Sequence, residues 1–175
     1  MVSSIASISK NGVIHRGPSE WTTPIVSVMK KNGDVRICVD LKRLNEALVP
    51  EKFVMPTMDE LLPKLAGATV FIKLEASSGF WSIPLDKESS HLTCSLTSFG
   101  RYAFDRLCVG ITSGPEILQH RMAQLLKNHE GMNVFVDDIL ILHGKTQGDH
   151  DKNLRRVLKT IQKSGLKLNR RKCEF

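Results

Sequence analysis

Short runs of β-branched and apolar residues lie on either side of a turn signal early in the chain. Residues 24–29 and 35–39 have the composition of strands, and Asn32-Gly33 lies between them. Both central residues of a type I′ turn need a positive φ, so Asn-Gly between two such runs favours a β-hairpin. The tip of the predicted hairpin carries two cations, Lys30 and Lys31.

Apolar spacing of three to four residues indicates helices in later segments. Thr57 and Ser113 each precede a Glu by three residues, which is the spacing of a capping box at the start of a helix. Pro63 requires the first of these helices to be very short or to begin later, because proline disrupts a helix interior. Two further helices are predicted over about 113–128 and about 147–164, the second ending before Gly165.

The other patterned segments indicate strands. Apolar runs predict strands at 70–74, 80–85, 134–136 and 139–142, and residues 91–108 are rich in strand formers around a turn at 98–100. Residues 1–20 have weak patterning and contain Asn11-Gly12 and Gly17-Pro18. That combination predicts a loosely ordered leader before the patterned part of the chain.

Charge and composition narrow the classes of function. The 175 residues include 25 Lys and Arg against 18 Asp and Glu, a net charge of +7. Such an excess suits a polyanionic partner, since cations displace the counterions of a phosphate backbone, although a merely basic surface would have the same charge. The chain has no signal-peptide pattern, no run of about 18 apolar residues, and no zinc-finger spacing among its four Cys. We therefore expect an intracellular protein, in cytoplasm or nucleus, that makes no membrane contact.

Two adjacent acids, Asp137 and Asp138, separate two apolar strand runs. Carboxylates in such surroundings repel each other and resist desolvation unless a cation compensates them. A hairpin with both acids at its tip suits Mg²⁺, which prefers hard oxygen ligands; an ordinary polar turn is the alternative for the dipeptide alone. Glu75, directly after the 70–74 run, is a candidate third carboxylate, although a solvated strand end would carry the same residue.

Several blocks along the chain match a known family in order and spacing. They are residues 35–45, 73–80 and 99–102, and Phe135-Val136-Asp137-Asp138. Residues 21–175 therefore resemble the reverse transcriptase domain of a gypsy-type LTR retrotransposon polyprotein. The resemblance implies an α+β fold with the fingers and palm of a right-hand polymerase, the palm being an antiparallel sheet backed by helices with an acidic β-hairpin. It assigns the fingers to about 21–50 and 86–112 and the palm to about 51–85 and 113–175, with no thumb, RNase H or integrase region.

The same resemblance implies RNA-directed DNA polymerase activity, with two Mg²⁺ ions, or Mn²⁺ as a substitute, supporting nucleotide addition to a primer 3′-hydroxyl. The implied partners are an RNA or DNA template with its primer and deoxynucleoside triphosphates. Template preference, processivity and oligomeric state stay open.

Residue roles follow from the matched blocks. Glu75 and Asp137 would bridge the metals, and Asp138 would complete the acidic site. Phe80 would lie beside the sugar and reject a 2′-hydroxyl, and the 107–110 stretch would line the nucleotide pocket. The residues implied to contact the nucleotide are Lys30 or Lys31, Arg36, Phe80 and Val109.

Two positions depart from the family pattern. Glu75 stands where the family usually has Asp, and Cys108-Val109 stands where it usually has Pro-Phe. A longer carboxylate side chain displaces a metal ligand, so we expect impaired polymerase activity. The alternative is a catalytically inactive nucleic-acid-binding remnant of a retroelement.

Overall fold

The computed structural model describes residues 2–17, 19–29, 35–49, 53–54, 57–135 and 139–175, with the side chains of 2–4, 35–37, 58 and 139–142 outside that description. The chain forms two compact units, one from Met1–Pro50 and Phe80–Gly114, the other from Glu51–Gly79 and Pro115–Phe175. The predicted division into fingers and palm stays a prediction at this point.

Helices and strands are interspersed along the described chain. The α-helices are α1 Val2–Lys10, α2 Lys42–Ala47, α3 Met58–Leu61, α4 Lys87–Leu92, α5 Gly114–Leu126 and α6 Gln147–Ser164. Short 3₁₀ helices cover Leu62–Leu65 and Gly79–Ser82. The strands are β1 Ile14–Arg16, β2 Thr23–Met29, β3 Val35–Val39, β4 Val70–Glu75, β5 Ser95–Thr97, β6 Gly100–Phe104, β7 Met132–Phe135 and β8 Ile139–Gly144. The α+β class expected from the resemblance is confirmed.

The first unit contains a sheet with the strand order β1-β6-β5-β2-β3. Its pairs are antiparallel except for β2 and β5, which run parallel. The predicted hairpin is confirmed by the pairing of β2 with β3, from Ile25 opposite Val39 to Met29 opposite Val35. Its predicted turn at Asn32-Gly33 lies outside the described residues.

The prediction of a loosely ordered leader is wrong for residues 2–17. They form α1 and β1, and β1 pairs with β6. Ile5 and Ile8 lie three residues apart on one helix face, and both are buried in the same core as Val13 and Ile14. The Asn11-Gly12 signal marks the end of α1, where Gly12 adopts φ +65°.

The second unit contains an antiparallel sheet with the strand order β4-β8-β7. Helix α6 packs against β8 and β4 with Val157 and Ile161 buried. The 167–174 segment pairs with the other side of β4 through bridges at Lys73–Glu174 and Ala76–Leu168. Because β4 would otherwise expose unpaired backbone groups, this segment covers the edge of the sheet.

The helix predictions of the second unit are confirmed at α3 and α6. The Thr57 capping box forms: Thr57 N–H donates to Glu60 Oε2 (3.1 Å), and Glu60 N–H donates to Thr57 Oγ1 (3.4 Å). Pro63 ends α3 after Leu61 and lies in the first turn of the following 3₁₀ helix, where no N–H is needed. Gly165 ends α6 in the left-handed conformation with φ 76°.

The predicted strand at 80–85 is wrong. Gly79–Ser82 is a 3₁₀ helix, and Pro84 makes only an isolated antiparallel bridge with Arg106. The apolar run suggested a strand, but Pro84 lacks the N–H that a strand ladder needs. None of the helices in the described ranges combines the length and the apolar composition that crossing a membrane requires.

Candidate active site

Glu75 is the last residue of β4, and its side chain is 16% exposed. Its backbone carbonyl accepts a hydrogen bond from the N–H of Asn169 (2.8 Å). Lys172 Nζ donates to its Oε1 and forms an ion pair with it. The 167–174 segment therefore fixes the backbone of Glu75 and supplies a cation to its carboxylate.

A second ion pair lies beside the first along β4. Lys73 Nζ donates to Glu174 Oε1 at 2.7 Å, and the two residues also exchange backbone hydrogen bonds of 2.9 Å. The hydrogen bond and charge of Glu174 raise the pKa of Lys73, with a smaller contribution from Glu75. Acids and bases from β4 and the 167–174 segment thus alternate, and the Glu75 carboxylate interacts with two lysines, Lys172 and Lys73.

The strands that precede and follow the acidic pair of the sequence belong to the same sheet as Glu75. Asp137 and Asp138 lie outside the described residues, so their geometry is not part of the description. The strands on either side of them are described: Phe135 ends β7, and Ile139 begins β8. Ile139 pairs with Phe135 on one side and with Glu75 on the other. Both ends of the segment that carries the two aspartates therefore lie at the Glu75 end of the sheet.

The residues expected to contact a nucleotide fall in the first unit. Lys30 and Lys31 lie outside the described residues, and Arg36 is described only in its backbone, which pairs with Val28. Phe80 lies in the 3₁₀ helix, where a Cβ added at Gly114 would be 3.1 Å from its Cε1 atom. The ring therefore packs directly against the backbone at Gly114.

Val109 lies in a turn, between the buried residue Cys108 and Gly110, which has a positive φ. Cys108 is 1% exposed and Val109 is 37% exposed, so the chain turns outward between them. Gly110 has φ +121°, and a Cβ there would lie 2.8 Å from the carbonyl oxygen of Val39. Only glycine fits this close approach without displacing strand β3.

Asn45 of α2 holds this segment from the other side. Its Nδ2 donates to the Gly110 carbonyl at 2.8 Å, and its Oδ1 accepts from the Thr112 N–H at 3.0 Å. The same residues line a shallow cavity of about 450 Å³ together with Asp40, Lys42 and Glu46. Asn45 lies in the matched block 35–45, but the pattern gave no signal of this contact.

The two buried cysteines, Cys94 and Cys108, offer no alternative chemistry. Cys38, Cys94, Cys108 and Cys173 are all free. Burial raises the pKa of the Cys108 thiol to about 12, which keeps it protonated and unreactive at neutral pH. Within the described residues, no group of three or more His, Cys, Asp or Glu could hold a metal ion. A metal site that joins Glu75 to two or more other such ligands would therefore include residues outside that description.

Known proteins resemble the chain over almost its whole length. The family model for "Reverse transcriptase (RNA-dependent DNA polymerase)" matches residues 28–175. The Tf2-3 transposon polyprotein of Schizosaccharomyces pombe is 31% identical over 95% of the chain, and the Pol polyprotein from transposon opus of Drosophila melanogaster is 33% identical over 98%. The chain spans only 12% and 18% of these two relatives.

Solved structures of reverse transcriptases also match the chain over almost its whole length. The foamy viral protease-reverse transcriptase in complex with double-stranded DNA matches with a TM-score of 0.91 and 25% identity, covering 98% of the chain and 30% of that protein. A complex of the foamy viral enzyme with an RNA/DNA hybrid has the same fold, with a TM-score of 0.85 and 23% identity over 98% of the chain and 23% of that protein.

The chain belongs to the reverse transcriptase family. The resemblance to LTR retrotransposon polyproteins drawn from the sequence is confirmed. Members of this family use divalent metal ions in general. The Glu75 end of the antiparallel sheet is the part of the described structure where such chemistry would be expected.

Proposed function

We propose that this chain is the fingers and palm of an RNA-directed DNA polymerase that adds deoxynucleotides to a primer 3′-hydroxyl, with reduced activity because of Glu75. The observation that carries the proposal is the strand register, in which Ile139 pairs with both Glu75 and Phe135. The first unit would correspond to the fingers and the second to the palm, apart from residues 80–85, which the resemblance assigns to the palm and which belong to the first unit. The four free cysteines support an intracellular setting.

The donor chemistry of the site suits Mg²⁺. Glu75 offers hard carboxylate oxygens, the ligands that Mg²⁺ prefers, and its carboxylate already has a cationic partner in Lys172. Glu75, Asp137 and Asp138 would hold two Mg²⁺ ions, for which Mn²⁺ would substitute. When bound, such ions activate the attacking hydroxyl, orient the triphosphate and stabilise the charge of the leaving group.

The nucleotide would be positioned by residues of the first unit. Lys30 or Lys31 and Arg36 would neutralise the triphosphate. Phe80 would lie beside the sugar, and its packing on Gly114 supports a rigid ring that excludes a 2′-hydroxyl by bulk. Val109 would line the pocket, and Asn45 would keep the Val109 segment in place through Gly110 and Thr112.

The partners would be an RNA or DNA template with its primer and deoxynucleoside triphosphates. Two observations support them: the net charge of +7, which suits a polyanion, and the foamy viral structures in complex with double-stranded DNA and an RNA/DNA hybrid.

Glu75 is the feature that would reduce the rate. One methylene more than Asp displaces the carboxylate by on the order of 1 Å, and a misplacement of this size costs about 10²-fold in rate. Mg²⁺ tolerates little distortion of its octahedral geometry, which makes the position sensitive to side-chain length.

Primer extension on an RNA template tests the proposal. We expect slow, Mg²⁺-dependent extension by the unmodified chain and none by Asp137→Asn. The control Glu174→Gln, a neighbouring carboxylate that pairs with Lys73, should retain the activity. Electron paramagnetic resonance of Mn²⁺ should show weaker ion binding in Asp137→Asn than in the control. Duplex binding without extension in every protein would favour the inactive remnant instead.

A further inference from the structure

The positive charge of the chain is concentrated near its end. Residues 147–175 contain nine Lys and Arg against three Asp and Glu, a net +6 out of the +7 of the whole chain. The preceding 146 residues are therefore almost neutral, at +1. A charge that follows from ordinary surface solubility would be spread over the chain, so this concentration calls for a local explanation.

Helix α6 arranges part of this charge in a row. Lys152, Arg156, Lys159 and Lys163 follow one another at intervals of four, three and four residues, which places them along one helix face. We call these four residues the basic stripe. At 1.5 Å per residue the stripe is about 16 Å long.

The basic stripe faces away from the core. All four side chains are exposed, whereas His150, Val157 and Ile161 of the same helix are buried. With 3.6 residues per turn, the stripe and the buried residues are centred roughly 150° apart around the helix axis. The stripe is therefore a solvent-facing surface of the second unit, opposite the side that packs on the sheet.

Nothing in the described part of the chain neutralises the basic stripe. Its four residues form neither ion pairs nor side-chain hydrogen bonds there. The helix acids are engaged elsewhere: Asp149 bonds to Thr146, and Asp151 bonds to Gln147. Like charges three and four residues apart destabilise an isolated helix, so the row has a cost that a polyanionic partner would remove.

The class of partner follows from the positive charge of the basic stripe and from the burial of the apolar face of α6. A helix that inserts into a lipid surface needs a free apolar face, and the apolar face of α6 is occupied by its own unit. A nucleic-acid strand carries one phosphate per about 3.4 Å of helix axis, so a 16 Å row is matched by about five phosphates. The row contains cations without aromatic side chains, which suits backbone contact and not base stacking.

We propose that the basic stripe of α6 is a docking surface for the sugar-phosphate backbone of a nucleic acid, bound without sequence preference. The contact lies on the side of α6 that faces away from the core, and it does not require nucleotide addition. Lys167, Arg170 and Arg171, in the segment that follows the helix, are also exposed.

Salt-dependent binding tests the proposal. A fluorescein-labelled DNA duplex is titrated with the full chain at several salt concentrations, and the slope of log K against log salt is measured. The stripe variant carries Lys152→Gln, Arg156→Gln, Lys159→Gln and Lys163→Gln, since Gln retains helix propensity. A control with the same net charge carries Lys10→Gln, Lys64→Gln, Lys87→Gln and Lys127→Gln, all exposed positions elsewhere.

The stripe variant should lose roughly 0.9 of slope per lost phosphate contact, a total of about 2 to 4, and the control should change little. Circular dichroism would verify that both variants are folded. Equal slopes in the unmodified chain and the stripe variant would overturn the proposal, as would equal losses in the two variants, which would indicate a net-charge effect.

A vesicle-binding measurement distinguishes a nucleic acid from a membrane surface as the anionic partner. If the unmodified chain bound phosphatidylserine vesicles but no duplex, and the stripe variant lost vesicle binding, the proposal would be overturned in favour of a membrane surface. This test measures binding and not primer extension. Its result can therefore be interpreted even if the chain has no polymerase activity.

Discussion

A methyl group added at Gly110 would meet the backbone of strand β3. Gly110 has φ +121°, and its Cβ would lie 2.8 Å from the carbonyl oxygen of Val39. Val39 is 4% exposed and pairs with Ile25, so it has little freedom to move. The backbone conformation costs about 1–3 kcal/mol for a non-glycine residue, and overpacking adds about 1–3 kcal/mol. We therefore expect Gly110→Ala to lower the free energy of unfolding by about 2–6 kcal/mol.

Gly100 provides a matched control for this substitution. It also has φ +121°, but a Cβ there would have nothing within 4 Å. Gly100→Ala should therefore cost only the backbone strain of about 1–3 kcal/mol. Urea unfolding followed by far-ultraviolet circular dichroism would give both values. Equal losses in the two variants would refute the close approach between Gly110 and Val39.

Three smaller perturbations test other contacts. Asn45→Ala removes two hydrogen bonds to the Val109 segment, so the free energy of unfolding from urea titration should fall by about 1–3 kcal/mol; no change would mean that the contacts do not hold the segment. Asp86 caps α4 by accepting from the N–H of Ser89, so thermal unfolding of Asp86→Ala should begin at a lower temperature than that of Asp86→Asn, which keeps an acceptor. Burial lowers the pKa of His143 below its usual 6.5, so its stabilising contribution is present above that pH and is lost as the pH falls through the lowered pKa. His143→Gln should remove this part of the pH dependence in urea midpoints, and an unchanged dependence would contradict the assignment.

Local signals predicted the elements that depend on local chemistry. The Asn-Gly hairpin, the Thr57 capping box and the Gly165 helix end each rest on a few neighbouring residues, and each strand or helix formed as expected. The leader was mispredicted because α1 and β1 gain their order from burial against distant strands, which weak patterning does not reveal. The 80–85 run was mispredicted because apolar content outweighed the missing N–H of Pro84.

The candidate site could be predicted only in part. Glu75 was singled out as a strand end, and the structure adds that its strand partner Ile139 directly follows the Asp137-Asp138 pair. Lys172 could not be singled out, because it is one of three consecutive cations and nothing local distinguishes it as the partner of a residue 97 positions away. Asn45 was missed for the same reason, since its bonds reach Gly110 and Thr112 across the sequence.

The most direct test of the central claim compares the unmodified chain with Glu75→Asp in single-turnover primer extension on an RNA template. If the three carboxylates form the metal site of a polymerase, shortening Glu75 should raise the rate by about 10²-fold while duplex affinity stays the same. Extension by neither protein, with duplex binding retained in both, would contradict the polymerase function of this chain.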